Sequence, residues 1–253
     1  MVEYSMNNSR SSNRWIFLPS LALACLLAIL PARAEVPLRA FTASYDLTNG
    51  NMHLATSELS LTPVDDHWRW RLSSRTRGVY AMLYTSKPVA DTTFRVVDDE
   101  FRLLNILVAE DRGDGPEDKG FESAAVDWEQ QRMEVWRKGK QREVPVSGEF
   151  FDYQSIHLVT ANMQLRDQAD TRVGFYRKGK IRDAQVRFEG TKEIELNDES
   201  IEVREYSLTI DGSSTRTRYY YQAANPLVPV MVFTQKKDKK PTVLRLRAVE
   251  WQS

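Results

Sequence analysis

Apolar and polar residues alternate along most of this chain with the two-residue period of half-buried β-strands. Phe41, Ala43, Tyr45 and Leu47 alternate with polar neighbours. Asn49-Gly50 then signals a type I′ turn, because both residues tolerate positive φ, and residues 52–62 read as the returning strand of a hairpin. After a turn at 63–66, a third strand at 67–77 carries Trp68, Trp70 and Leu72 on one face. Two more strands are predicted at 88–97 and 101–108, and another pair at 121–127 and 132–137. Further strands follow at 186–188, 194–196, 201–210, 215–222, 228–235 and 243–251. Residues 78–87 fit a short helical turn or an aromatic-rich connection. The charged, glycine-bearing stretch 110–119 is a loop. VWRKGKQREV at 135–144 matches FYRKGKIRDA at 175–184, and both predict hairpins turning at Lys-Gly, where glycine supplies the positive φ.

One stretch keeps a different period. In DYQSIHLVTANMQLR, residues 152–166, Ile156, Val159 and Met163 stand at i, i+3 and i+7, and Leu158, Ala161 and Leu165 repeat that spacing. This predicts a helix with a wide apolar arc, capped at its N-terminus by Asp152. The fold class follows: mainly β, a curled antiparallel sheet of a dozen or so strands forming an incomplete β-barrel. The one main helix packs in or across the concave face. Such a shape has an apolar hollow and two rims of hairpin tips. Strand parity puts the two Lys-Gly tips on one rim. The lysine-rich turn at 236–240 joins them only if Gly190 is a bulge inside a continuous strand.

The N-terminus changes what is counted as the folding chain. Arg10 and Arg14 precede an apolar run at 15–30, and Ala32-Arg33-Ala34 is a small-residue cleavage site, so a signal peptide at 1–34 is expected to be removed before Glu35. The run is short for a membrane anchor. Apolar residues also continue past Cys25, unlike a lipid-modified cysteine. The expected location is the periplasm. Cys25 is the only cysteine, so the mature chain has no disulfide and must be stabilised by burial. Residues 35–253 are long enough for one β-rich domain, and no linker divides them. They hold 32 basic and 34 acidic residues, a net charge of −2, which with the export signal argues against nucleic-acid binding.

The order of motifs resembles the periplasmic proteins of domain-of-unknown-function family 3108. FTASYDL opens the series, followed by FESAAVDWEQQRMEV and FDYQSIHLVTANMQLR, and RTRYYYQAANPLVPVMVF closes it before a final strand. The resemblance spans roughly residues 41–251. It implies an architecture similar to the half-barrel of Lol-type lipoprotein carriers, and it implies no activity.

Candidate chemistry is sparse. His53, His67 and His157 fall on separate elements without metal-ligand spacing, so no metal or other cofactor is expected. Asp152 and His157 are about 500° apart around a helix and do not share a face. The expected roles are a cap and a partly exposed histidine. Ser155 stands in no nucleophile elbow, and catalytic residues are not expected.

Two groups of residues remain. Tyr45, Trp68, Trp70, Tyr80, Tyr84 and Phe94, with Ile156, Val159 and Met163 of the helix, are candidate linings of the hollow for a lipid-like or other apolar ligand. On that basis Trp70→Ala is expected to weaken uptake more than stability. Arg137, Lys138, Lys140, Arg177, Lys178, Lys180, Lys236 and Lys237 are candidate contacts for an anionic membrane surface or an acidic partner. For both groups the plainer reading is core packing and solubilising hairpin ends. The leading expectation is a non-enzymatic periplasmic carrier. The alternative is an envelope interaction factor, chaperone-like or a secretion accessory, acting through a sheet edge or the basic rim. A hydrolase ranks third.

Overall fold

Burial follows the alternation. Phe41, Ala43 and Tyr45 are buried on β1 (Phe41–Asn49), and the residues between them are not. Ala55, Ser57, Leu59 and Leu61, and again Met133 and Val135, are buried at the same two-residue spacing, so one face is apolar and the other is wet. The computed structural model describes residues 36–252, apart from 51, 77–86, 112–113 and 119. The expected signal peptide, Tyr80, Tyr84 and nearly all of 78–87 lie outside the described residues.

From β1 the chain runs through β2 (Met52–Val64), β3 (His67–Thr76), β4 (Val89–Val97), β5 (Glu100–Ala109), β6 (Glu122–Asp127), β7 (Arg132–Arg137) and β8 (Lys140–Pro145). A two-residue strand, β9 (Phe150–Phe151), precedes the helix α1 (Ile156–Leu165). The return is made by β10 (Asp170–Arg177), β11 (Lys180–Leu196), β12 (Glu199–Ile210), β13 (Thr215–Tyr221), β14 (Pro229–Lys236) and β15 (Thr242–Trp251). All fifteen belong to one sheet, ordered β8-β7-β6-β5-β4-β3-β2-β1-β15-β14-β13-β12-β11-β10-β9. Its ladders are antiparallel, except that β9 pairs parallel to β10. The sheet is a curled, unclosed antiparallel barrel, and α1 is the one helix among the described residues.

Curling has identifiable causes. Register shifts mark bulges at Ser44/Tyr45, Leu47/Thr48, Thr93/Phe94, Phe188/Gly190 and Tyr220/Tyr221. Each bulge bends its strand and raises the local twist. Side chains bridge the seam where the ladder stops. Trp128 stacks on Phe150, Phe101 meets Phe151 edge-on, and the Phe101 amide donates to Glu149 Oε1 at 2.7 Å.

Four of the tight turns use two consecutive positive-φ residues. Lys138-Gly139 and Lys178-Gly179 turn as expected, and Asp98-Asp99 and Asn197-Asp198 make the same geometry without glycine. Residues 186–188 and 194–196 are not separate strands. They belong to the seventeen-residue β11, and Gly190, at φ 124°, stands at its bulge. The turns at 138–139, 178–179 and 236–240 therefore share one end of the sheet, here the upper rim. A Cβ at Gly190 would touch nothing within 4 Å. Gly190→Ala is expected to cost about 1–3 kcal/mol through backbone strain alone, read as a lowered urea midpoint with an unchanged m-value.

The helix begins one turn later than its spacing predicts. Asp152 Oδ1 accepts from the amides of Gln154 and Ser155 at 3.1 and 2.8 Å, and Ser155 Oγ accepts from the Asp152 amide at 2.8 Å. These reciprocal bonds close a capping turn ahead of the regular ladder, which starts at Ile156 with Ser155 as the half-in residue. At the other end Asp167, at φ 49°, takes the left-handed conformation, and the Gln168 amide reaches back to the Met163 carbonyl at 2.9 Å. Ile156, His157, Leu158, Val159, Thr160, Ala161 and Met163 are all buried. Sheet surrounds most of the helix, so His157 is buried rather than partly exposed. Leu165, on the expected apolar arc, is 40 % exposed.

Candidate functional site

The concave face is filled unevenly. Near β3, β4 and β5 it is packed with Trp70, Phe94, Leu103 and Ile106, none more than 2 % exposed. Toward the upper rim, inward positions carry small residues instead. On β2 the inward pair is Ser57 then Leu59, and on β3 it is Ser74 then Leu72, opposite each other in register. On β13, β14 and β15 the pairs are Thr217 and Tyr219, Thr234 and Val232, and Thr242 and Leu244. In every strand the hydroxyl lies one inward step nearer the rim than its larger neighbour. The result is a hydroxyl collar above an apolar floor.

Missing side-chain volume leaves a cavity of about 220 Å³ bounded by these residues, Leu47, Pro229, and Tyr153, Gln154 and His157 at the start of the helix. No Asp, Glu, Lys or Arg lines it. The collar is internally bonded. Ser57 and Ser74 hydroxyls lie 2.7 Å apart, and Asn49 Nδ2 donates to Thr242 Oγ1 at 3.2 Å.

The helix start is held by a buried polar knot. Thr92 of β4 donates to Asp152 Oδ2, and Ser155 Oγ donates to Asp152 Oδ1 at 2.7 Å. Burial pushes the Asp152 carboxyl above its ordinary range, against the hydrogen bonds it accepts from Thr92, Ser155 and Gln154. His157 Nδ1 lies 2.7 Å from the Tyr221 hydroxyl, and its ring packs beside Trp70 and Tyr219. Burial holds the imidazole pKa down to about 3, so the ring is neutral at pH 7. Asp152 and His157 thus bond to different partners. His53 pairs with Asp46 and His67 with Asp66, and no metal-ligand cluster occurs among the described residues.

None of the described aromatic or helical candidates lines the cavity. Tyr45, Trp70, Phe94, Ile156, Val159 and Met163 are packed core, and Trp68 is half-buried against it. Tyr45 donates to the Pro229 carbonyl at 3.0 Å. The physical reason is volume: large side chains fill the hollow they were expected to line. Ser57, Ser74, Thr217, Thr234 and Thr242 bound the space although Ser and Thr read as the polar half of the alternation. The available signal was hydroxyls standing in the inward phase.

The basic candidates divide in two. Arg137 is paired with Glu122 at 2.6 Å, and Arg177 donates to Ser213 Oγ at 2.9 Å. Lys138, Lys140, Lys178, Lys180, Lys236 and Lys237 are exposed on the upper rim. There the Arg142 guanidinium donates to the Gly179 carbonyl, tying the β7–β8 hairpin to the β10–β11 hairpin.

No protein-family model and no curated protein matches the chain. Solved structures do match. A β-barrel-like protein of domain of unknown function DUF1849 from Brucella abortus superposes with a TM-score of 0.51 at 11 % identity, over 87 % of this chain and 100 % of that one. The two share a barrel-like fold. A Bacteroides fragilis protein with a YmcC-like fold aligns over 84 % of this chain and 96 % of its own, at 7 % identity and a TM-score of 0.30. The resemblance to family 3108 therefore rests on motif order alone.

Proposed function

We propose that this chain is a non-enzymatic binding protein that holds an apolar ligand between its curled sheet and its helix, and that it acts in the periplasm. The observation that carries the reading is a cavity of about 220 Å³ on the concave face whose lining includes no charged side chain. Burying an ion there without a partner is costly, whereas an apolar group gains by leaving water. The volume lies below the usual range for drug-sized ligands, about 300–1,000 Å³, and suits one narrow chain or small ring. The expected signal peptide supports the location.

The test is native mass spectrometry of the mature protein followed by organic extraction. A co-purifying apolar molecule is expected. Leu72→Trp, which puts an indole into the space, should reduce uptake at least tenfold, equivalent to about 1.4 kcal/mol, with the fold retained. Undiminished uptake in a folded Leu72→Trp protein would move the ligand elsewhere.

A second reading, an envelope interaction factor, is favoured by one observation. Exposed lysines of three hairpins gather on the upper rim, where they could meet an acidic partner. Crosslinking from Lys138 and Lys178 would return a partner protein on that reading and none on the first.

A further inference from the structure

We infer that the ligand is a single-chain amphiphile with an anionic head, held tail-down in the cavity with its head against the lysine hairpin at 236–240. This rests on the proposal that the cavity binds an apolar group, and it adds the charge and orientation of the rest of the molecule.

The polarity of the cavity has a direction. Its sheet-side floor is Leu47, Leu59, Leu72, Val232 and Leu244 with Tyr219, its collar is hydroxyl, and Gln154 and His157 of the helix start border it from the other side. An apolar tail gains most against the leucines and Val232, and polar atoms near the head find hydrogen-bond partners at the collar. A charged head has no counter-ion inside, because no lining residue is charged. It must sit above the collar.

What stands above the collar is specific. Thr234 and Thr242 pair with each other as the last rung of the β14–β15 ladder. The hairpin beyond that rung presents Lys236, Lys237, Lys239 and Lys240 against Asp238 alone, all exposed. None of these four lysines is ion-paired among the described residues. At each of the other two basic tips a carboxylate is at hand: Glu117 lies beside Gly139, and Glu122, paired with Arg137, accepts from the Gly179 amide at 2.9 Å.

The lysine hairpin is also tied to the collar. Asn49 Nδ2 donates to the Lys240 carbonyl at 3.3 Å and to Thr242 in the collar, and the Gly50 amide donates to the Pro241 carbonyl at 3.1 Å. One side chain thus links the collar to the hairpin backbone. Free ammonium groups are thereby kept one rung above a cavity that accepts no charge.

The test uses delipidated mature protein and two probes that differ only at the head, dodecanoate and dodecanol, titrated at pH 8 below the micelle concentration of the first and the solubility limit of the second. Dodecanoate is expected to bind about tenfold tighter at low salt, the sum of two or three exposed ion pairs. The preference should shrink as salt screens the lysines. In the variant Lys236→Gln/Lys237→Gln/Lys239→Gln/Lys240→Gln the two probes should bind equally, with dodecanol affinity unchanged, which also reports that the cavity is intact. Equal binding of both probes to the wild type, or a preference that survives in the variant, overturns the headgroup assignment while leaving the cavity reading standing. Failure of both probes to bind the wild type overturns both.

Discussion

Replacing Trp70 by alanine is expected to lower the unfolding free energy by about 3–5 kcal/mol, the usual cost of emptying a buried aromatic site, and to leave apolar uptake per folded molecule nearly unchanged. Trp70 is fully buried. Its indole meets Phe41 edge-on at 5.5 Å and packs at 5.3 Å from His157, so it joins the first strand of the sheet to the helix. It does not border the cavity. The balance between stability and uptake is therefore the reverse of the one its place in the sequence predicts. Trp70→Phe separates packing from hydrogen bonding. The buried indole Nε1 has no hydrogen-bond partner, so phenylalanine loses volume but no hydrogen bond, and the cost should fall well below that of alanine. Urea unfolding gives both values from the shift in midpoint at constant m. A loss below about 1 kcal/mol for Trp70→Ala would mean that the site collapses and that the helix does not rest on this ring.

Local chemistry was legible where local forces decide. The β7 strand runs Arg132–Arg137 as its alternation predicts, both Lys-Gly pairs turn with positive φ, and the helix reaches Leu165 before Arg166 caps it. Those features depend on neighbours a few residues away. The site was illegible because it depends on neighbours far along the chain. Ser57 and Thr234 bound the same cavity only because β1 pairs with both β2 and β15 and so joins the two halves of the sheet. Parity alone leaves open which face is inward, since a one-residue slip exchanges them. His157 shows the same limit at the helix. Its 3.6-residue period assigns an arc, but the sheet wraps beyond that arc, and burial follows the wrapping. At Gly190 the sequence permits either a turn or a bulge, and the bulge found there is what puts Lys236 on the same rim as Lys138.

Acid should destabilise this protein through His157 before it reaches most carboxylates. In the unfolded chain the imidazole takes up a proton near pH 6.5, and in the native state burial delays uptake until about pH 3. Above pH 6.5 both states are neutral there, and the residue adds no pH dependence. Between pH 6.5 and about 3 the unfolded state binds one more proton than the native state, so stability falls with falling pH at about 1.4 kcal/mol per unit. The groups facing the ring offer no relief. Tyr219 and Tyr221 have hydroxyl pKa values pushed up by burial and stay neutral, and Trp70 does not titrate. Asp152 works in the opposite sense. Its carboxyl pKa is raised, so between the ordinary carboxylate value and its native one the folded state binds the extra proton and gains stability as pH falls. Comparing wild type with His157→Gln cancels that contribution, because Asp152 is present in both. The expected result is a stability-against-pH curve that falls from pH 6.5 to 4 in the wild type and is flatter by about 1 kcal/mol per unit in the variant. Parallel curves would mean that His157 gains a proton in place, with water or a rearranged Tyr221 to receive it, and that the helix start is looser than the packing around Trp70 implies.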